Sequence, residues 1–240
     1  MTLADKTILV TGANRGIGRA LVEEALRRNA KRVYAGTRVP LDHPDPRVTP
    51  LALDVTDGAQ IAAAAGRIDA LDLLINNAGI AVPDDLGDRA ALERHFAVNV
   101  FGPHAVTTAF LPQLLRARGA IVNNVSLMAI TPLPVMPAYS MSKAAALSLT
   151  LAQRALLAGQ GVRVHAVLTG PVDTEMTAAL PIPKASPESV AAAILAAVAN
   201  GEEDIFPDPA SATIARSWHA GPAVELTRLN AALLAGADAA

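Results

Sequence analysis

Thr7-Ile8-Leu9-Val10-Thr11-Gly12-Ala13-Asn14-Arg15-Gly16-Ile17-Gly18 runs from a β-branched apolar stretch into a glycine cluster and then into a helical pattern that continues to about Arg28. Strand, tight turn and helix in that order bring backbone N–H groups and the positive end of a helix dipole to one point, where an anion binds. Glycine lets the backbone approach a pyrophosphate closely, so Gly12, Asn14, Arg15, Gly16, Ile17 and Gly18 are candidate dinucleotide contacts. A glycine cluster alone says little, because turns collect glycine; its place between strand and helix carries the reading. No Gly-Lys-Ser/Thr follows Gly12, which excludes a P-loop.

Working outward, further apolar runs occur at Val33–Gly36, Val48–Leu53, Leu73–Ile75, Ile121–Val125 and Val162–Leu168, with a last one near Glu203–Phe206. They lack polar alternation, as strands do when helices cover both faces of a parallel sheet. Helical stretches at about Ala90–Arg116, Ala138–Ala158 and Pro187–Ala199, and from about Ala210, lie between or after them. Repeated β-α units of this kind predict an α/β, Rossmann-type doubly wound parallel sheet of about seven strands with helices on both faces. Pro40, Pro44 and Pro46 forbid a regular helix between Arg38 and Val48, and Asp57–Ile68 leaves room for only a short one. With 240 residues and no dividing linker, the chain reads as a single domain over 1–240.

Composition narrows the partners. The net charge is −2 with signs scattered, so no basic stripe points to nucleic acid and no polybasic run points to a membrane surface. There is no cysteine, and the five histidines form no ligand pair at helical spacing, so no metal site is expected. The N-terminus enters a strand with no signal segment, and no apolar stretch is of spanning length, which predicts a cytoplasmic protein with a small-molecule partner.

Past the second strand, where a carboxylate would hold the ribose 2′-hydroxyl of NAD, the chain reads Gly36-Thr37-Arg38. A guanidinium binds a 2′-phosphate through two charge-assisted hydrogen bonds, and Arg15 could add a second cation, so NADP(H) is preferred over NAD(H).

Tyr139 stands four residues before Lys143, with Ser126 upstream at the end of an apolar run. Positions i and i+4 share a helix face, so the ammonium can sit near the phenol and favour phenolate, moving the tyrosine pKa toward the working pH. Such a tyrosine exchanges a proton with an alcohol or carbonyl oxygen. With two tyrosines and four lysines in 240 residues, the spacing is expected by chance only ~0.03 times.

These motifs together resemble the short-chain dehydrogenase/reductase family, in its compact single-domain branch. The match runs from Thr7 to about Thr174 through Thr11-Gly-x-x-x-Gly16-x-Gly18, Asn76-Asn77-Ala78-Gly79, Asn99, Ser126 and Tyr139-x-x-x-Lys143. The resemblance implies that Tyr139 is the catalytic acid/base, that Ser126 hydrogen-bonds the substrate oxygen, and that Lys143 holds the nicotinamide ribose and lowers the tyrosine pKa. It implies that Asn99 anchors a water linking Lys143 to solvent. Asp54 resembles the adenine contact, with Val55 beside it, and Asn77, Ala78 and Gly79 line the cofactor. After the sixth strand the family usually reads Pro-Gly-x-Val-x-Thr, whereas this chain has Thr169-Gly170-Pro171-Val172-Asp173-Thr174. Gly170, Val172 and Thr174 match as cofactor contacts, and the missing proline predicts a less rigid entry to the loop.

The stretches Ile80–Pro83, Leu127–Met136 and Glu175–Ile182 are the candidate substrate walls. They are mostly aliphatic, which favours a small or medium hydrophobic ketone or aldehyde, or a secondary alcohol in reverse. The helix after Tyr139 is apolar and small on nearly all sides, which predicts a homodimer or homotetramer packed through it and the helix from Ala90 to Arg116. Two other readings stay open. One is a non-catalytic dinucleotide-sensing or scaffold protein; the other is an acyl-carrier ketoreductase, which needs a basic patch beside the pocket to which Arg116 and Arg118 could contribute.

Overall fold

The computed structural model describes residues 1–39, 41–227 and 230. Strands β1 (Thr7–Thr11), β2 (Arg32–Thr37), β3 (Val48–Ala52), β4 (Leu73–Asn76), β5 (Ala120–Asn124), β6 (Arg163–Val167) and β7 (Asp204–Ile205) form one sheet in the order β3-β2-β1-β4-β5-β6-β7. Every pairing is parallel. The order reverses between β1 and β4, and a crevice for a ligand opens at the C-terminal ends of strands at such a point. The expected doubly wound sheet is therefore present, and its switch point lies beside the glycine turn.

Successive side chains of each strand go to opposite faces, so both faces must be apolar. Ile8 and Val10 join a core with Leu21 and Ala25 of α1 (Gly16–Arg27) and Val190 and Ile194 of α6 (Pro187–Asn200). Leu9 points the other way, into a core with Leu74, Ile121, Phe110 and Leu114. The remaining helices are α2 (Gly58–Arg67), α3 (Arg89–Phe96), α4 (Gly102–Ala117), α5 (Pro137–Ala158) and α7 (Pro209–His219). Asp57 caps α2 by accepting from Ala59 N and Gln60 N, which explains why a ten-residue helix holds there. No helix forms between β2 and β3 among the described residues; Pro40 lies outside them. Also among the described residues, no helix is long and apolar enough to cross a membrane.

The stretch read as one helix from Ala90 to Arg116 is helical throughout but not uniform. Between α3 and α4 the residues Ala97–Phe101 form a π turn, in which Gly102 N donates to Ala97 O. Pro103 has no N–H to give the carbonyl of Asn99 four residues earlier, so one bond of the α-helical ladder is missing at this point. The wider turn brings the Asn99 side chain inward, where it is buried.

Candidate active site

The glycine turn is held by close backbone approach. Gly12 has φ +65°, and a Cβ there would meet Ala78 Cα at 2.9 Å; at Gly18 a Cβ would lie 2.0 Å from the Gly12 carbonyl oxygen. Thr11 Oγ1 accepts from Asn77 N and Ala78 N, both at 3.0 Å, and Asn77 Nδ2 donates to Thr11 O at 3.0 Å. The loops after β1 and β4 are thereby locked across the switch point. A cavity of about 460 Å³ opens there, lined by Gly12, Asn14–Gly18 and Asn77–Gly79. No side chain caps the start of α1, which leaves its first N–H groups for a ligand. This cradle fits a pyrophosphate.

At the end of β2, Arg38 is exposed on the cavity, and its guanidinium has no ion-pair partner among the described residues. Arg15 lines the cavity as well, but its guanidinium is paired with Glu175, so it is not the open second cation expected from the sequence. Asp54 accepts from Thr56 N at 2.8 Å and from Thr56 Oγ1 at 2.7 Å. Those bonds hold its carboxyl below the usual range; burial opposes them, and the charge of Arg38 adds to them. Val55 follows on the same wall.

Ser126, Tyr139 and Lys143 line the inner end of this cavity. Ser126 Oγ accepts from Met128 N at 3.1 Å and lies 3.5 Å from Thr169 O. Tyr139 projects from the first turn of α5 and Lys143 from the second, and Lys143 Nζ lies 5.7 Å from the Tyr139 ring centroid. Nζ donates to Asn124 O at 2.9 Å. Burial lowers the Lys143 pKa to about 8. Burial also raises that of Tyr139, with the Ser126 hydroxyl acting against it. The direction is therefore opposite to the fall expected from the lysine at i+4. Removing both groups from water disfavours both charged forms.

Asn99 sits behind this group. Its Oδ1 accepts from Ile80 N at 2.9 Å, and its Nδ2 donates to Ile80 O at 3.0 Å and to Ser142 Oγ at 2.9 Å. It thus ties the loop after β4 to α5.

The loop after β6 corrects another expectation. Thr169 Oγ1 donates to Asn124 Oδ1 at 2.7 Å, and Asn124 Nδ2 donates to Asn77 Oδ1 at 3.0 Å. Gly170 N donates to Asp208 Oδ2 at 2.7 Å, and Asp208 is buried as the N-cap of α7. Hydrogen bonds replace the ring of a proline in fixing this entry. Gly170, Val172 and Thr174 line the cavity beyond it.

Three neighbours of the site were not legible as such in the sequence. Glu175 pairs with Arg15 from 160 positions away. Asp84 accepts from Ala138 N at 3.2 Å and so caps α5 from another loop, a role signalled only by the absence of a capping side chain at Met136. His95 is buried against Tyr139. The substrate walls are also less uniformly aliphatic than the sequence suggests. Val82, Pro83, Pro134 and Val135 border a groove of about 640 Å³ that Asp84, Asp85, Asp88 and Arg94 line as well. Arg116 donates to Asp69 O at the C-terminal end of α4, which leads into the start of β5, whereas the cavity lies at the other end of the strands; this removes Arg116 from any basic patch beside the pocket.

Comparison with known proteins agrees with this geometry. Residues 6–184 match the family model described as short chain dehydrogenase. A short chain dehydrogenase of Monascus purpureus is 35% identical over 198 residues, covering 73% of this chain and 68% of the relative. The 2-(S)-hydroxypropyl-CoM dehydrogenase 3 of Xanthobacter autotrophicus is 36% identical over 187 residues, covering 71% and 72%. Among solved structures, a short chain dehydrogenase of Burkholderia cenocepacia in complex with NADP superposes with a TM-score of 0.88 at 39% identity, covering 94% of this chain and 97% of that one.

Proposed function

As this chain belongs to the short-chain dehydrogenase family, we propose that it is an NADP(H)-dependent oxidoreductase, one dinucleotide-binding domain over 1–240, that interconverts small or medium hydrophobic ketones or aldehydes and the corresponding alcohols. The observation that carries the reading is the convergence of Ser126, Tyr139 and Lys143 on the inner end of a cavity whose outer end is the glycine turn. The Burkholderia structure with NADP bound supports the cofactor class, and Arg38, charged and open at the end of β2, supports the phosphorylated form. The Xanthobacter relative, whose name describes dehydrogenation of a hydroxypropyl group, supports an alcohol or carbonyl substrate.

Asn14–Gly18 would hold the pyrophosphate, Arg38 the 2′-phosphate, and Val172 and Thr174 the nicotinamide end. A bound nicotinamide supplies or accepts the hydride. The chain's own groups then handle the oxygen. Ser126 donates a hydrogen bond to the substrate oxygen, and Tyr139 gives it a proton in reduction or takes one in oxidation. Burial of Tyr139 favours the neutral phenol, the form that donates. Lys143 brings a cation near the developing phenolate, and Asn99 fixes the loop and helix that carry the group.

The exposed Met176 side chain, which lines the cavity, supports a hydrophobic substrate. Exposed Phe101, Met141 and Leu156 on the π turn and α5 support a homodimer or homotetramer packed through α4 and α5, which light scattering tests. The test of the activity is NADPH and NADH oxidation by the purified protein against a panel of hydrophobic ketones and aldehydes. NADPH-dependent turnover is expected, and Tyr139→Phe should lower it at least about hundredfold while NADPH still binds. Unchanged turnover in the variant would sink the assignment.

A further inference from the structure

We propose that His95 is a positioning residue that sets the ring of Tyr139 and the substrate wall at Val82 together, a role that rests on the oxidoreductase reading above. His95 is 1% exposed on the inner face of α3, where an aliphatic side chain would satisfy the core at no polar cost. Both of its nitrogens are instead engaged. Nε2 lies 3.1 Å from Val82 N, which can only donate, so Nε2 carries the lone pair. The proton is then on Nδ1, which donates to Ala91 O at 2.8 Å. The tautomer is fixed by its neighbours.

Val82 belongs to a segment that has no strand beside it. Its backbone is held from α3 and the π turn, by Asn99 on the N–H and carbonyl of Ile80 and by His95 on the N–H of Val82. Residues 95 and 99 are one helical turn apart, so one face clamps the segment at alternate positions. The same imidazole meets Tyr139 edge-on, with ring centroids 6.3 Å apart and planes at 68°. Lys143 Nζ lies 5.7 Å from the centroid of that ring, and the Ser126 hydroxyl meets its phenol oxygen. His95 therefore touches both the group that moves the proton and the backbone that borders the substrate. A shift of either is transmitted to the other through one rigid ring.

The two contacts can be separated by substitution. His95→Gln offers an acceptor to Val82 N but no ring to Tyr139; His95→Phe keeps a ring but offers no acceptor. With NADPH and the ketone turned over fastest in the panel, H95Q should lower kcat about tenfold to hundredfold with KM for the ketone near that of the parent. H95F should do the reverse, raising KM severalfold with kcat largely kept. NADPH affinity, read by fluorescence titration, should stay within about twofold in both, because the cofactor cradle is built from other loops. Parent-like kinetics in both variants, or a parallel loss of kcat, KM and NADPH affinity, would overturn the proposal.

A second readout needs no substrate. In a Tyr34→Phe background, ultraviolet titration reads the ionisation of Tyr139 alone. His95→Ala opens the ring to water and should lower the midpoint, while His95→Phe should leave it in place. An unmoved midpoint in H95A overturns the proposal even if no panel ketone reacts. Turnover that persists in Tyr139→Phe instead condemns the functional reading itself.

Discussion

Lys143→Met should make the ligand-free protein more stable, although it removes a group on which the proposed reaction depends. Burial lowers the lysine pKa from 10.5 to about 8, and the side chain is 6% exposed, so the shift reports a real cost of holding a charge in the fold. A fall from 10.5 to about 8 corresponds to roughly 3 kcal/mol, and losing the Asn124 O contact reduces the expected gain to about 2 kcal/mol. The sign follows from the protons bound. At pH 7 both states are protonated, and the folded state carries the whole cost. Between pH 8 and 10.5 the unfolded chain holds the proton more tightly than the folded one, so parent stability rises with pH across that window. Methionine has no such dependence, and the gap between the two proteins should close as pH approaches 10.5. Urea unfolding of both proteins at pH 7 and pH 9.5, at one protein concentration and without cofactor, measures this. A variant less stable at pH 7, or a gap that is the same at both pH values, refutes the argument.

His165 is buried on β6, with its pKa lowered to about 4 by burial, so the folded state stays neutral where the unfolded chain takes up a proton. Stability present above pH 6.5 should fall by about 3 kcal/mol as pH drops to 4, and His165→Gln should flatten that slope in urea unfolding curves. Arg38→Asp replaces the open guanidinium with a charge that repels a 2′-phosphate. The ratio of NADPH to NADH affinity should drop about tenfold to hundredfold, and an unchanged ratio in fluorescence titrations would remove Arg38 from the cofactor site.

Local chemistry made much of this protein readable. The turn Thr11–Gly18 and the pair Tyr139 and Lys143 each lie within one or two helical turns, so their meaning is carried by spacing alone. The sheet was readable because strands covered on both faces have to be apolar throughout, as Leu73–Asn76 is buried throughout. What spacing does not carry is long-range pairing. Nothing near Arg15 announces Glu175, and nothing near Met136 announces that Asp84 caps its helix. The direction of the Tyr139 shift was missed for a related reason: the i+4 lysine is visible in the sequence, whereas the depth of burial belongs to the packed fold. The π turn had a local cue in Pro103, four residues after Asn99, but a proline near a helix start is ordinary enough to pass unremarked.

That widened turn places the chain close to a smoother alternative. Removing a single residue between Ala97 and Phe101 would let α3 and α4 fuse into one rod, with the interior carbonyls matched to donors except those opposite Pro103 and Pro112. It would also rotate all of α3 by about 100° about its axis, carrying His95 away from Val82 and Tyr139. A one-codon deletion in this stretch thus leads toward a tidier helix and away from an assembled reaction centre. Selection for thermal robustness alone would have reason to take that step, whereas selection for turnover would reject it.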